Sequence, residues 1–136
     1  VTEFRISEAA AMLGVSDDTV RRWGDAGRLR IRKTASGRQV VDGVDLVPLM
    51  KDVAAESPIA TAFPLARASA RNRFTGIVTA VTKDTVMAQV ELQAGPFRVV
   101  SLMSREAADE LKLAPGMLAV ASVKATVVVV ERLDNE

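Results

Sequence analysis

The sequence contains neither cysteine nor histidine. Their absence excludes disulfides, thiol nucleophiles, the usual zinc-ligand sets and histidine acid–base catalysis. Aromatic residues make up only 4% of the chain, with one tryptophan and no tyrosine. No apolar run approaches the roughly 20 residues that a membrane-spanning helix needs. No signal-peptide pattern opens the chain. The expectation is a cytoplasmic protein with no membrane partner. No nucleophile–base pair, metal-ligand cluster or phosphate-cradling loop stands out, so an enzyme is not expected.

What is present is ordinary for a globular protein: 136 residues, 49% hydrophobic and 26% charged. That length fits one domain or two small ones. Two halves of about 60 residues would each be marginal and would gain from oligomerising. The net charge of +1 carries little information, but its distribution does. From Arg21 to Arg38 the chain holds Arg21, Arg22, Arg28, Arg30, Arg32, Lys33 and Arg38 against a single acid, Asp25. That is a basic patch, which suits a polyanionic partner.

In the first half, Ser7 is placed to cap a short helix whose first turn carries Glu8. Ala9, Ala10 and Leu13 form its apolar stripe, and Gly14 ends it. Ser16 caps a second helix that begins with Asp17 and Asp18. Val20 and Trp23 face the first helix, Arg21 and Arg22 face away, and Gly27 is the stop. Two helices joined by a glycine turn, the second polar and basic, form a helix-turn-helix pattern. Residues 28–33 alternate basic and apolar like a strand. Thr34-Ala35-Ser36-Gly37 makes a turn and 38–41 a return strand, together a wing. Asp42 can cap a third helix, which Pro48 disturbs.

Residues 53–67, with two prolines, read as a linker that is partly helical before Ser57. The second half, 68–133, reads as strands over 74–81, 86–92, 97–103, 117–123 and 126–132. Ser104 caps a short helix over 105–111. Five strands and one helix describe a small OB-like barrel. Its two phenylalanines, Phe74 and Phe97, are too few for base stacking, so an oligonucleotide-binding barrel is not expected. The fold class is therefore α+β: an N-terminal winged helix-turn-helix over 1–52, then a C-terminal five-stranded OB-like β-barrel with one short helix.

The segments Phe4-Arg5-Ile6-Ser7-Glu8-Ala9-Ala10, Leu13-Gly14-Val15-Ser16, Thr19-Val20-Arg21-Arg22-Trp23, Ala26-Gly27-Arg28-Leu29 and Asp45-Leu46 resemble the MerR-type winged helix-turn-helix. The resemblance departs at the wing, where Gln39-Val40-Val41 follows Ser36-Gly37-Arg38. It implies double-stranded DNA as a partner. Arg21 and Arg22 would then reach phosphates or base edges, Ser16 would hold a phosphate at the helix start, and Arg38 would touch the backbone from the wing. With Asp17 and Thr19, these are the candidate DNA-binding residues.

Ser69-Ala70-Arg71-Asn72-Arg73-Phe74-Thr75-Gly76 resembles the opening signature of the molbindin, or Mop, family. Val86 to Leu92, Ser104 to Ala107, Leu111 to Gly116 and Val123 to Val127 follow in that family's order. The resemblance implies molybdate or tungstate as ligand, bound as an oxyanion and not as a cation. A tetrahedral dianion presents only acceptors and needs donors from several directions. Ser69, Ser104 and Thr126 offer hydroxyls. Ala70, Arg71 and Ala125 offer backbone N–H groups, and Asn72 completes the opening turn. Lys124 supplies compensating charge, and Arg71 can add more. The family's sites lie between subunits, which implies a homo-oligomer through the C-terminal domain. Ser69–Asn72 of one chain would then meet Lys124–Thr126 of another. Joined, the two resemblances imply a molybdate- or tungstate-responsive transcriptional regulator, similar in logic to the ModE type. Oxyanion storage with an auxiliary DNA-binding domain is the alternative. An architectural DNA binder whose barrel only oligomerises is a third reading.

Overall fold

Glu8 sets where the first helix begins. Its Oε1 accepts the N–H of Arg5 at 2.9 Å. Helix α1 is therefore Ile6–Leu13, with Arg5 and not Ser7 at its cap position. An acidic side chain three residues into a helix satisfies the flanking amide without help from a serine. Gly14 closes α1 at φ +71°, a conformation that disfavours a Cβ. Helix α2 (Asp17–Asp25) starts as its sequence dictates, with Ser16 Oγ accepting the N–H of Thr19 at 3.2 Å.

The structure, a computed structural model, describes residues 2–133. They divide into two compact units, the first reaching Pro64 and the second spanning Leu65–Arg132. In the first unit, strands β1 (Glu3–Arg5), β2 (Arg32–Lys33) and β3 (Gln39–Asp42) form an antiparallel sheet in the order β1-β3-β2. The strand expected over 28–33 is only two residues long. Leu29 is buried in the core, and the Arg28 guanidinium sits 5.0 Å from the Trp23 ring centre. Both side chains are drawn toward the helices, which takes the chain off an extended path. Ala9, Val20 and Val41 are fully buried between α1, α2 and the sheet.

Helix α3 (Gly43–Ala55) runs through Pro48 without a break. A proline in a helix interior loses a hydrogen bond and costs about 3 kcal/mol or more. Leu46 and Leu49, buried on either side of it, offset that cost. The linker is more ordered than its sequence suggests. It contains helix α4 (Pro58–Ala62), which opens on Pro58, where the missing N–H costs nothing.

The second unit is one antiparallel sheet of four strands: β4 (Asn72–Lys83), β5 (Met87–Ala94), β6 (Phe97–Ser104) and β7 (Leu118–Val123), in the order β6-β5-β4-β7. Helix α5 (Arg105–Glu110) follows β6. Alternation along β5 is strict, with Ala88, Val90, Leu92 and Ala94 buried. Gly76 is required by a close approach: a Cβ there would overlap the Gln93 carbonyl. Asp84 fixes the β4–β5 turn by accepting the N–H groups of Val86 (2.8 Å) and Met87 (2.7 Å). Those two bonds, Met87's first, hold its carboxyl below the usual range.

The fifth strand expected over 126–132 is not formed. Residues Ala125–Val127 make a 3₁₀ turn, and no strand is assigned beyond it among the described residues. Val129 and Val130 are 86% and 87% exposed, so this β-prone run lies on neither sheet edge. In place of the expected five-stranded barrel, the described residues form a four-stranded sheet with β6 and β7 as its outer strands.

Candidate functional site

Two groups of predicted residues can be followed in the structure. The first group lies around α2 and the β2–β3 hairpin. Ser16 Oγ lies 2.9 Å from Thr19 Oγ1, and Thr19 Oγ1 accepts from Arg22 Nη2 at 3.0 Å. This chain of bonds lays the Arg22 side chain back along the start of α2. Arg21 Nη1 is 3.5 Å from Asp18 Oδ1, a long contact between exposed groups. Such a surface pair holds its arginine weakly.

Arg21 and Asp17 line an open concavity of about 480 Å³. Its other walls are Arg5, Ile6 and Ser7 at the start of α1, and Lys33, Gly37 and Gln39 on the hairpin. The hairpin tip is closed by Thr34 N–H to the Arg38 carbonyl at 2.8 Å, with Gly37 at φ +87°. Arg38 is exposed and its guanidinium has no protein partner among the described residues. Sequence reasoning passed over Ser7 and Gln39. The cross-strand pairing of Lys33 with Gln39 puts them side by side, which a reading of strand spacing around the 34–37 turn could have found.

The second group depends on the register of β4 against β7. Asn72 pairs with Val123, and Asn72 Nδ2 donates to the Val123 carbonyl at 3.1 Å. Ser69–Arg71 lead into this end of the ladder, and Lys124–Thr126 lead out of it. The register sets the ends of the two segments opposite each other in one chain.

Ala70 and Asn72 are half-buried, and Ser69, Arg71, Lys124, Ala125 and Thr126 are exposed. The turn after Lys124 is closed by the N–H groups of Val127 (3.0 Å) and Val128 (3.4 Å), not by those of Ala125 and Thr126. Arg71 and Lys124 have no carboxylate partner among the described residues. Two unpaired cations beside hydroxyls and amide donors can hold a small oxyanion.

Ser104 does not join them in the same chain. It pairs with Met87, beside the C-terminal end of β4. Some eleven residues of β4 lie between it and Asn72, roughly 35 Å along an extended strand. Its Oγ accepts the Ala107 N–H at 3.1 Å as the cap of α5. A capping hydroxyl keeps its own proton, so it can still donate. Among the described residues, no group of three His, Cys, Asp or Glu side chains could hold a cation. No described helix is long and apolar enough to cross a membrane.

Comparison with known proteins follows the same division. Residues 5–39 match the MerR family regulatory protein description, and residues 68–131 match the TOBE domain. The chain joins a MerR-type regulatory segment to a TOBE domain. Three solved structures resemble it over about half its length. One is a molybdate binding protein from Sporomusa ovata: 30% identity, TM-score 0.47, covering 49% of this chain and 100% of that one. Another is MopII from Clostridium pasteurianum: 34% identity, TM-score 0.46, covering 48% and 100%. The third is the cytoplasmic molybdate-binding protein ModG: 36% identity, TM-score 0.42, covering 48% and 45%. No curated relative matches the chain.

Proposed function

We propose that this chain is a transcriptional regulator that binds duplex DNA through its first unit and responds to molybdate or tungstate through its second. The observation that carries the reading is the Asn72–Val123 register. It sets Asn72 opposite Val123, where the Ser69–Asn72 and Lys124–Thr126 segments reach the ladder, and this supports a shared donor set inside a TOBE domain that follows a MerR-type segment. On this reading the first unit is a winged helix-turn-helix. Helix α2 is its recognition helix, with Ser16, Asp17, Thr19, Arg21 and Arg22 facing the major groove and Arg38 on the wing. The second unit is an OB-like oxyanion domain.

A half-exposed site is a poor trap for a dianion, because water competes for every donor. Closure by a second copy would exclude that water. The exposed Val127–Val130 run and the unpaired edges of β6 and β7 favour such a homo-oligomer. Ser104 would then complete the site from the other subunit. A dimer would present two recognition helices to a two-fold operator. Anion-dependent assembly would couple the two activities, typically by ~1–3 kcal/mol.

Calorimetric titration of molybdate and of tungstate into wild type and Lys124→Ala tests the site. Loss of the binding heat in Lys124→Ala is expected, and equal binding would sink the assignment. The second reading, oxyanion storage, draws on the same unpaired edges. Storage gains if native mass spectrometry shows large anion-loaded assemblies while the protein favours no duplex over random DNA.

A further inference from the structure

Arg32 is one of seven similar basic residues between positions 21 and 38, yet its surroundings set it apart. Its Nε lies 3.2 Å from both carboxylate oxygens of Asp42, and its Nη2 lies 2.9 Å from Asp42 Oδ1. Nη2 also donates to Glu3 Oε2. Asp42 and Glu3 are themselves cross-strand partners, and Arg32 pairs with Val40. One side chain thus stitches all three strands of the first sheet. The Arg32 guanidinium hydrogen-bonded to Asp42 holds that carboxyl below the usual range. With two carboxylates beside it, Arg32 adds nothing net to the charge that a duplex would meet.

The residue before it makes the other half of the link. Ile31 packs on the bare backbone of α2 at Gly24, where a Cβ would overlap Ile31 Cδ1 and stand 3.1 Å from Cγ1. Ile31 touches the helix, and Arg32 ties the next residue to the sheet. An open groove of about 300 Å³ beside this contact is lined by Arg21 and Asp25 of α2 and by Lys33 and Gln39 of the hairpin.

We propose that Arg32 is a positioning residue: its clamp on Asp42 and Glu3 holds the β2–β3 hairpin at a fixed spacing from α2, and duplex binding depends on that spacing without Arg32 touching DNA. The inference rests on reading the first unit as DNA-binding. Charge counting and positioning give opposite forecasts for Asp42→Asn. Removing a carboxylate makes the face more basic and frees Arg32, so electrostatics alone predicts tighter duplex binding. Loss of the clamp predicts weaker binding. The Asp42 side chain caps no amide of α3, so the asparagine variant leaves that helix start intact.

The test uses the full chain and a duplex that wild type selects from a random-sequence pool. We expect Asp42→Asn and Glu3→Gln to bind it less tightly, the former about tenfold, the scale of one lost charge-assisted hydrogen-bond set. Arg32→Lys keeps the charge but loses the fork, and should behave like Asp42→Asn. Amide exchange across residues 33–40 should quicken in all three variants. Equal or tighter binding by Asp42→Asn overturns the proposal. If wild type selects no duplex, the DNA-binding reading fails instead and the clamp is judged on exchange alone. Unchanged exchange would then refute it, and faster exchange would leave the clamp standing without its DNA role.

Discussion

The two units differ in how completely each buries its own apolar surface. In the first, Ile6, Ala9, Leu13, Val20, Val41, Leu46 and Leu49 belong to one buried cluster drawn from three helices and a sheet. In the second, the buried cluster is Val78, Val90 and Leu92, with partly buried neighbours. Leu102, Val100, Leu118, Val120 and the Val127–Val130 run stay exposed there. Helices close around a core from several sides, whereas a four-stranded sheet covers one face and leaves two edges. The first unit also leaves Met12, Val44 and Val47 exposed, but around a larger buried cluster. The second leaves more of its apolar side chains in solvent than it buries in its cluster.

The largest effect expected from this contrast is in core truncation. Leu46→Ala and Leu92→Ala each remove a buried leucine, a change that costs about 2–5 kcal/mol. The first unit should survive with a lowered melting point, and the second should lose its cooperative transition. Trp23 is the sole tryptophan, so its fluorescence follows the first unit while far-ultraviolet dichroism follows both. Equal damage to the two would break the comparison. Next in size, molybdate at a hundred times its dissociation constant should stabilise the second unit by about 2.7 kcal/mol. The Trp23 transition should stay where it was, and a shift in it would mean that the units do not melt independently.

Arg21→Ala should weaken duplex binding by about 1–3 kcal/mol in an electrophoretic or anisotropy titration. Its molybdate binding heat should match wild type. The smallest effect concerns pH. Asp84, Glu91 and Asp109 in the second unit, and Asp42 in the first, have carboxyls held below their ordinary range by hydrogen bonds and neighbouring cations. The stability they contribute is complete above the ordinary carboxylate pKa and is lost as pH falls through the lowered values. Acid should therefore erode the second unit more than the first, modestly, because all four pairings are screened by solvent. Melting curves over falling pH check this, and Asp84→Asn should flatten the second unit's response.

Much of this fold was legible because local chemistry decided it. Ser16 and Ser104 cap their helices as their sequence positions require, and Gly14 and Gly27 adopt the positive φ that ends a helix. Period-two patterning marked β5 correctly. What escaped was set by distant partners. Nothing local separates Arg32 from Arg30, since the carboxylates that claim Arg32 stand 10 and 29 residues away. The valine run has every mark of a strand but joins neither sheet among the described residues. Conversely, Asn72 and Val123 are 51 residues apart, and only strand register could show that they stand opposite each other.

Strand β4 is shared between two ladders that overlap only at Ile77 and its neighbour. Residues 72–77 pair with β7, and pairing with β5 begins at Ile77 and runs to Lys83. The two halves nonetheless share one core, because Ala119 and Ala121 of β7 pack against the Val78, Val90 and Leu92 cluster. Insertion of a single residue in the 114–116 turn would slide β7 by one rung, take Val123 away from Asn72 and turn Ala119 and Ala121 off the core face. The length of that one loop therefore sets both what faces Asn72 and how well the sheet is filled.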